Sequence, residues 1–290
     1  MALGNFDGFH AGHQAVVGHA IARARAEGRP AIVATFDPHP MRLFQPDSPS
    51  FRLTTLDQRQ ALFAHAGADA MLVFDFTREL AALDPAAYVR LLVEQLGVAA
   101  VVTGQDFTFG RARSGTIGSF AALGLAAEAV APITDGEGVI SSTRVRAALR
   151  AGDCATATRL LTRPFTIEGL VQHGDKLGRT IGFPTANIDM GPYLRPAYGI
   201  YAVRGRLSDG RVLDGAANLG IRPSFDPPKE LLEPHFFDFS ESLYGERVAV
   251  ELVHYLHAER KYDGLEALTA GIAQDCADAR QILAGTPTLA

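Results

Sequence analysis

Gly4-Asn5-Phe6-Asp7-Gly8-Phe9-His10-Ala11-Gly12-His13 compresses a strand end, a glycine-containing turn and a helix start into ten residues. Gly8 and Gly12 carry no Cβ, so the backbone there can come close to a ligand. A helix starting here offers free N–H groups and the positive end of its dipole, which suit phosphate. His10 and His13 are three apart, so both imidazoles lie on one helical face. Imidazole donates to phosphate oxygens and takes on charge near neutral pH. On spacing alone, a turn bearing two surface or zinc-binding histidines stands equally open.

Outward from this stretch, strands and helices alternate. Ala15 to Ala26 carries Val16, Val17, Ala20, Ile21 and Ala24 at helical spacing, and Gly28 stops it. Ala31 to Phe36 is a short apolar run of strand length. Thr55 and Gln58 form a capping box ahead of a second helix. Ala70 to Phe76 reads as strand, and Asp84-Pro85 opens a helix that ends at Gly97. Val98 to Thr103 is again β-branched. The alternation predicts an α/β domain with a doubly wound parallel sheet, binding its ligands beyond the C-terminal strand ends. Met1-Ala2-Leu3 leaves little room for the first strand, against a usual length of about 5–6 residues. Ile140-Ser141-Ser142-Thr143-Arg144-Val145-Arg146 places hydroxyls and arginines at a helix start. That suits a second phosphate site, or simple capping followed by a solvated basic turn.

From about residue 163 the period changes. Phe165–Gln172, Tyr198–Leu207, Arg211–Leu219, His235–Phe239 and Glu246–Leu256 read as strands, with Asp209-Gly210 a hairpin turn. A single helix, Leu265–Leu283, closes the pattern. These elements predict a small antiparallel β-barrel with a terminal helix. The chain thus divides into residues 1–160 and residues 161–290.

The bulk numbers agree with two globular domains: 290 residues, 47% hydrophobic and 20% charged. A net charge of −5 gives no argument for nucleic acid. No apolar stretch approaches the roughly 20 residues of a membrane span. The opening residues show neither a basic n-region nor an apolar h-region, and Cys154 and Cys276 form no CxxC pattern. The expectation is a cytoplasmic protein with idle thiols.

The densest motif is His173-Gly174-Asp175-Lys176-Leu177-Gly178-Arg179-Thr180-Ile181-Gly182-Phe183-Pro184-Thr185-Ala186-Asn187. Glycines around Lys176 and Arg179 make a cationic flap suited to covering phosphates. Thr185 and Asn187, two apart, project to one side of an extended segment and offer hard oxygen ligands for Mg²⁺ with a nucleotide. A β-turn with polar caps is the plainer reading. Glu233, in Leu232-Glu233-Pro234-His235-Phe236-Phe237-Asp238-Phe239, sits beside an apolar run where a carboxylate needs a partner or a purpose. The adjacent Phe236 and Phe237 read as core.

These strings carry a resemblance. HxGH at the first strand–helix turn with ISSTxxR is similar to the HxGH nucleotidyltransferases. Thr35-Phe36-Asp37-Pro38-His39-Pro40 and Gly104-Gln105-Asp106-Phe107-Thr108-Phe109-Gly110-Arg111-Ala112-Arg113-Ser114-Gly115 narrow it to the FMN adenylyltransferase module of bacterial FAD synthetases. GDKLGRTIGFPTANI, YGIYAV, NLGIRPSF, LEPHFFDF and SLYGERVAVEL resemble the riboflavin kinase domain. The family so identified is the bifunctional riboflavin kinase/FMN adenylyltransferases. It implies riboflavin, FMN and ATP as substrates and Mg²⁺ as the metal. In the N-terminal half it implies His10 and His13 as catalytic residues that stabilise charge developing on the phosphates, ATP contacts at Asn5, Gly8, Ser142, Thr143 and Arg146, and flavin contacts at Asp106, Phe107 and Phe109. In the C-terminal half it implies a nucleotide flap with Gly174, Lys176, Gly178 and Gly182, Mg²⁺ and ATP at Thr185 and Asn187, a general base at Glu233, and flavin at Arg222. His257 and Tyr262 stand where the family usually shows Arg and Phe. The alternatives are a riboflavin kinase with an impaired adenylyltransferase, a non-catalytic flavin- or nucleotide-binding protein, and another HxGH transferase.

Overall fold

The computed structural model describes residues 1–173, 182–222 and 229–288. They form two compact units: Met1–Pro49 with Thr54–Ser142, and Ser50–Leu53 with Thr143–Ala290.

The first unit contains the strands β1 (Ala2–Leu3), β2 (Ile32–Asp37), β3 (Ala70–Asp75), β4 (Ala100–Gly104), β5 (Thr108–Phe109), β6 (Gly115–Thr116), β7 (Ala126–Val130), β8 (Thr134–Asp135) and β9 (Gly138–Val139). Five of them form a sheet in the order β3-β2-β1-β4-β7, and every pairing in it is parallel. The chain winds outward from β1 to β3 and then crosses to β4, so the switch point lies between β1 and β4. Both faces are covered. Ala2, Val33 and Val102 face a core that includes Val16, Val17 and Phe63, while Leu3, Ala34 and Val101 face Tyr88, Leu92 and Phe120. This alternation is the period of an extended chain buried on both sides.

Helix α1 (Ala11–Ala26) begins four residues earlier than its apolar periodicity predicts, because the His10 side chain caps it by accepting from the His13 amide. Helices α2 (Pro40–Phe44), α3 (Leu56–His65), α4 (Arg78–Ala82), α5 (Pro85–Arg90) and α6 (Ile117–Ala122) complete the unit. The Thr55/Gln58 capping box of α3 is present. A π-helical turn, Leu91–Gln95, extends α5 up to Gly97, which takes φ 64°. Strand β7 is an addition to the sequence reading, since Ala126-Ala127-Glu128-Ala129-Val130 has almost no β-branched signal.

The second unit holds α7 (Ser142–Arg150, beginning at the last residue of the first unit) and α8 (Cys154–Leu161). Sequence periodicity groups these helices with the N-terminal half. In packing they join the barrel: α8 lies on β10 and β15, and the Ala197 amide donates to Leu149 O at 3.0 Å. Gly152 allows the turn between them, at φ 76°, because a Cβ there would stand 2.7 Å from the Tyr255 ring. The barrel is closed, with strands β10 (Phe165–Gln172), β11 (Asn187–Asp189), β12 (Gly199–Arg206), β13 (Val212–Arg222), β14 (Lys229–Phe236) and β15 (Arg247–His257) in the order β10-β11-β14-β13-β12-β15. All six pairings are antiparallel. The C-terminal helix, Leu265–Ala284, buries Ala279 and Leu283 against Ala202, Ala216 and Phe237.

Strand β14 corrects the predicted run His235–Phe239. It begins at Lys229 and stops at Phe236, since Asp238 adopts φ 55°. Glu233 is therefore inside the strand and not at its entry. Phe236 packs over Gly205, where a Cβ would come within 2.4 Å of its ring, and Phe237 lies under the C-terminal helix. Both are core, as the sequence suggests. Burial pushes the Cys154 thiol up to about 12, which makes it a poor nucleophile.

Candidate active sites

The N-terminal site grows from the turn between β1 and α1, at the switch point of the sheet. Phe6 (φ 48°), Gly8 (φ 85°) and Phe9 (φ 44°) all take left-handed conformations. Two of these are bulky residues, at a cost of about 1–3 kcal/mol each. Burial of their rings edge-on to Phe63, at 5.8 and 5.1 Å, offsets it. Polar bonds then fix the loop. The buried Asp7 carboxylate accepts from the Thr54 amide (3.1 Å) and hydroxyl (3.2 Å), and Thr54 Oγ1 accepts from the Gly8 amide at 3.0 Å. The Ser142 hydroxyl, at the last residue of the first unit, donates to Asp7 O at 2.9 Å. Arg59, 2% exposed, donates to Asn5 O and to Thr35 Oγ1 from beneath.

This frame holds two imidazoles face to face. The His10 and His13 rings stack with centroids 3.6 Å apart and planes at 21°. His10 Nδ1 accepts from the His13 amide at 3.3 Å, which leaves Nε2 as its N–H donor. Gly12 makes the arrangement possible, since a Cβ there would sit 3.2 Å from the His10 ring.

Of the other expected residues, Asn5 has its carbonyl held by Thr35 and Arg59, and Ser142 closes the first unit. Thr143 and Arg146 belong to the second unit, where Arg146 Nε donates to Phe51 O at 2.9 Å with its guanidinium over the Phe51 ring. Asp106 is exposed and Phe107 half-buried. Phe109 lies in the core, stacked 4.1 Å from Phe120, and Gly115 leaves its ring room. Asp7, Thr54 and Arg59 complete the frame. Sequence reading missed their role, although Asp7 lies within the opening motif.

The barrel site lies on one transverse row of strands. Asn218 on β13 pairs with Glu233 on β14, and opposed residues in such a pair share a face. Ile188 and Asp189 pair with Leu232 and Leu231, and the Ala186 amide donates to Pro234 O at 2.9 Å, so the register carries Asn187 to Glu233. His235 Nδ1 meets Pro184 O at 2.8 Å and its ring lies edge-on to Phe183, fastening the Thr185–Asn187 segment to β14. Thr185 is half-buried and Asn187 buried; Gly182 takes φ 89°. Asn218 Nδ2 donates to Glu259 Oε1 at 3.1 Å. Gly174, Lys176 and Gly178 lie outside the described residues, as does the Arg222 side chain.

One unit offers a phosphate-receptive helix start with paired imidazoles. The other offers a half-buried carboxylate beside oxygen donors suited to a metal–nucleotide. Fold and sites together define a two-module phosphate-group transferase. The FAD synthetase family model matches residues 1–144 and the riboflavin kinase model matches residues 161–283. The chain belongs to the family of bifunctional riboflavin kinase/FMN adenylyltransferases. It is 37% identical to the Bacillus subtilis enzyme of that name over 95% of this chain and 89% of the relative, and 37% identical to that of Escherichia coli K12 over 97% and 91%. A crystal structure titled as a macrolide-efflux protein from Streptococcus pneumoniae superposes with TM-score 0.87 at 29% identity, covering 96% of this chain and 93% of that one. Among the described residues no helix is long and apolar enough to cross a membrane.

Proposed function

We propose that the chain phosphorylates riboflavin to FMN in residues 161–290 and adenylylates FMN to FAD in residues 1–160, in the cytoplasm. The observation that carries this reading is the shared barrel row, which brings Glu233 beside Asn187 and Asn218. Binding alone needs neither a proton acceptor nor an adjacent pair of oxygen donors.

In the kinase step, Glu233 takes the proton of the ribityl 5′-hydroxyl. The freed oxygen attacks the γ-phosphorus of ATP, and ADP leaves. General-base help of this kind contributes about 10²–10⁴-fold. The Thr185 hydroxyl and the Asn187 amide oxygen fit Mg²⁺, a hard cation that keeps several waters and binds through few protein oxygens. When bound there, it supplies charge neutralisation on the phosphate oxygens. Gly174, Lys176, Gly178 and Gly182 cover the nucleotide, and Arg222 meets the flavin.

In the adenylylation step, an FMN phosphate oxygen attacks the α-phosphorus of ATP in line, and pyrophosphate leaves without a covalent enzyme intermediate. His10 and His13 donate to the phosphate oxygens as charge develops. Asn5, Gly8 and Ser142 hold the triphosphate. Asp106 and Phe107 meet the flavin, with Phe109 supporting Phe107 from the core. Catalysis here is positioning and electrostatics.

Pure protein incubated with riboflavin, ATP and Mg²⁺ should yield FMN first and FAD second on chromatography. FMN alone would show an impaired adenylyltransferase, and flavin binding without conversion would show a binding protein.

A further inference from the structure

The barrel row holds a second carboxylate, Glu259, just past the end of β15. Its Oε1 lies above Gly220: a Cβ at that position would stand 2.2 Å from Oε1 and 3.0 Å from Cδ. Gly220 is two residues along β13 from Asn218, on the same face of the strand. The missing side chain is thus the seat of the Glu259 carboxylate, which accepts from Asn218 Nδ2 at 3.1 Å.

This contact decides which way the Asn218 amide faces. A carboxylate only accepts, so the nitrogen must be the atom turned to Glu259. The other end, Asn218 Oδ1, is buried and has no hydrogen-bond partner among the described residues. A buried amide oxygen without a donor is costly, and native structures usually supply one. Directly across the pairing stands Glu233, with opposed Cβ atoms about 4.5–5.5 Å apart in such pairs.

We infer that Asn218 is a substrate-binding residue for the kinase step: its Oδ1 accepts from the ribityl hydroxyl next to the 5′-hydroxyl. Glu259 is the positioning residue that keeps Oδ1 turned toward it. The inference rests on the kinase reading of Glu233. With the 5′-hydroxyl at Glu233, the 4′-hydroxyl is one carbon away, which matches the one-pair step across the strands. The polyol chain is the part of a flavin rich in such donors, so the pair selects for a hydroxylated side chain.

The test compares riboflavin with 4′-deoxyriboflavin in the full chain, measuring kcat and KM for phosphorylation. Wild-type protein should lose about 10-fold or more in kcat/KM on the deoxy compound, since the buried acceptor is left unmet. Asn218→Ala should lose a similar factor on riboflavin and show nearly equal kcat/KM for the two compounds. Glu259→Ala should raise the riboflavin KM with a smaller change in kcat and shrink the discrimination. Glu259→Gln should stay near wild type, because its amide oxygen still accepts from Asn218 Nδ2. The circular dichroism spectrum and thermal transition of each variant report on folding of the barrel, and FMN adenylylation reports on the N-terminal half. Equal use of both flavins by wild-type protein, or undiminished discrimination in Asn218→Ala, would overturn the inference while leaving the kinase intact. Absence of any riboflavin phosphorylation in wild type would instead remove the kinase reading beneath it.

Discussion

The imidazoles of His10 and His13 stack 3.6 Å apart, so one ligand meets both rings at once. Replacing both by Ala removes two donors from the proposed triphosphate site. Each donor lost from a comparable transition-state site costs about 2.7–4 kcal/mol. FAD formation should nearly vanish, while riboflavin phosphorylation continues and FMN accumulates. Loss of both activities in a variant with an unchanged circular dichroism spectrum would contradict the assignment of separate reactions to the two halves.

Glu233→Gln keeps shape and removes proton-accepting power. Riboflavin phosphorylation should fall by about 10²-fold or more, and FMN supplied directly should still be converted to FAD. Near-normal phosphorylation would reduce Glu233 to a structural residue.

Arg59 supports the opening turn through Asn5 O and Thr35 Oγ1. Arg59→Met leaves these acceptors short of a donor, at about 1–3 kcal/mol. Differential scanning calorimetry should show the loss in the N-terminal unit, accompanied by a higher KM for ATP in adenylylation. Arg59→Lys should recover only part, because one ammonium can take the place of Nη1 at Asn5 O and Thr35 Oγ1 but not also of Nε at Thr55 O.

A pH effect is expected at Glu230, which joins Arg195 (2.7 Å) and the Tyr198 hydroxyl. Burial pushes its carboxyl up, but Tyr198 and Arg195 outweigh burial and hold it below the usual carboxylate value. A depressed folded value means stabilisation that is present above the unfolded pKa of about 4.3 and lost as pH falls through the folded one. Tyr198, raised by burial to about 12, acts in the opposite sense: its contribution is present below about 10 and lost as pH rises toward 12. Melting temperatures of wild type and Glu230→Gln should differ at pH 6, and the difference should shrink as pH falls below the unfolded pKa of about 4.3. A constant difference across that range would count against the assignment.

His257 ties the end of β15 to the C-terminal helix. Nδ1 lies 2.8 Å from Ala258 O and Nε2 lies 2.7 Å from Asp275 Oδ1. His257→Ala leaves a buried carboxylate short of a donor and should cost about 1–3 kcal/mol in chemical denaturation. His257→Arg, which offers N–H donors from the same position, should restore most of it.

Much of this organisation is legible in the sequence because it rests on local rules. Thr55 and Gln58 announce a capping box, and Asp209-Gly210 announces a hairpin. The opening motif shows His10 and His13 on one face before any coordinates exist. What escapes is long-range register. Nothing near Asn218 in sequence says that it opposes Glu233, or that Gly220 makes room for Glu259, 39 residues on. Arg59 escapes for a related reason: its helix buries Gln58 and Arg59 beside Phe63, and only tertiary packing carries Arg59 under Asn5. Strand β7 escapes because it is a half-exposed edge strand built largely of alanine, which has little strand propensity.

The left-handed backbone at Phe6 and Phe9 has an evolutionary consequence. Glycine at either position would relax the chain but leave a void beside Phe63; a different large side chain would fill the void but keep the unfavourable torsion. No single substitution improves both, so each position is a local optimum bounded by two unlike penalties. Neutral drift is therefore slow along the very segment that presents the histidines, even though neither phenylalanine has been given any part in the chemistry. Purifying selection on this turn would then record folding geometry as much as catalysis.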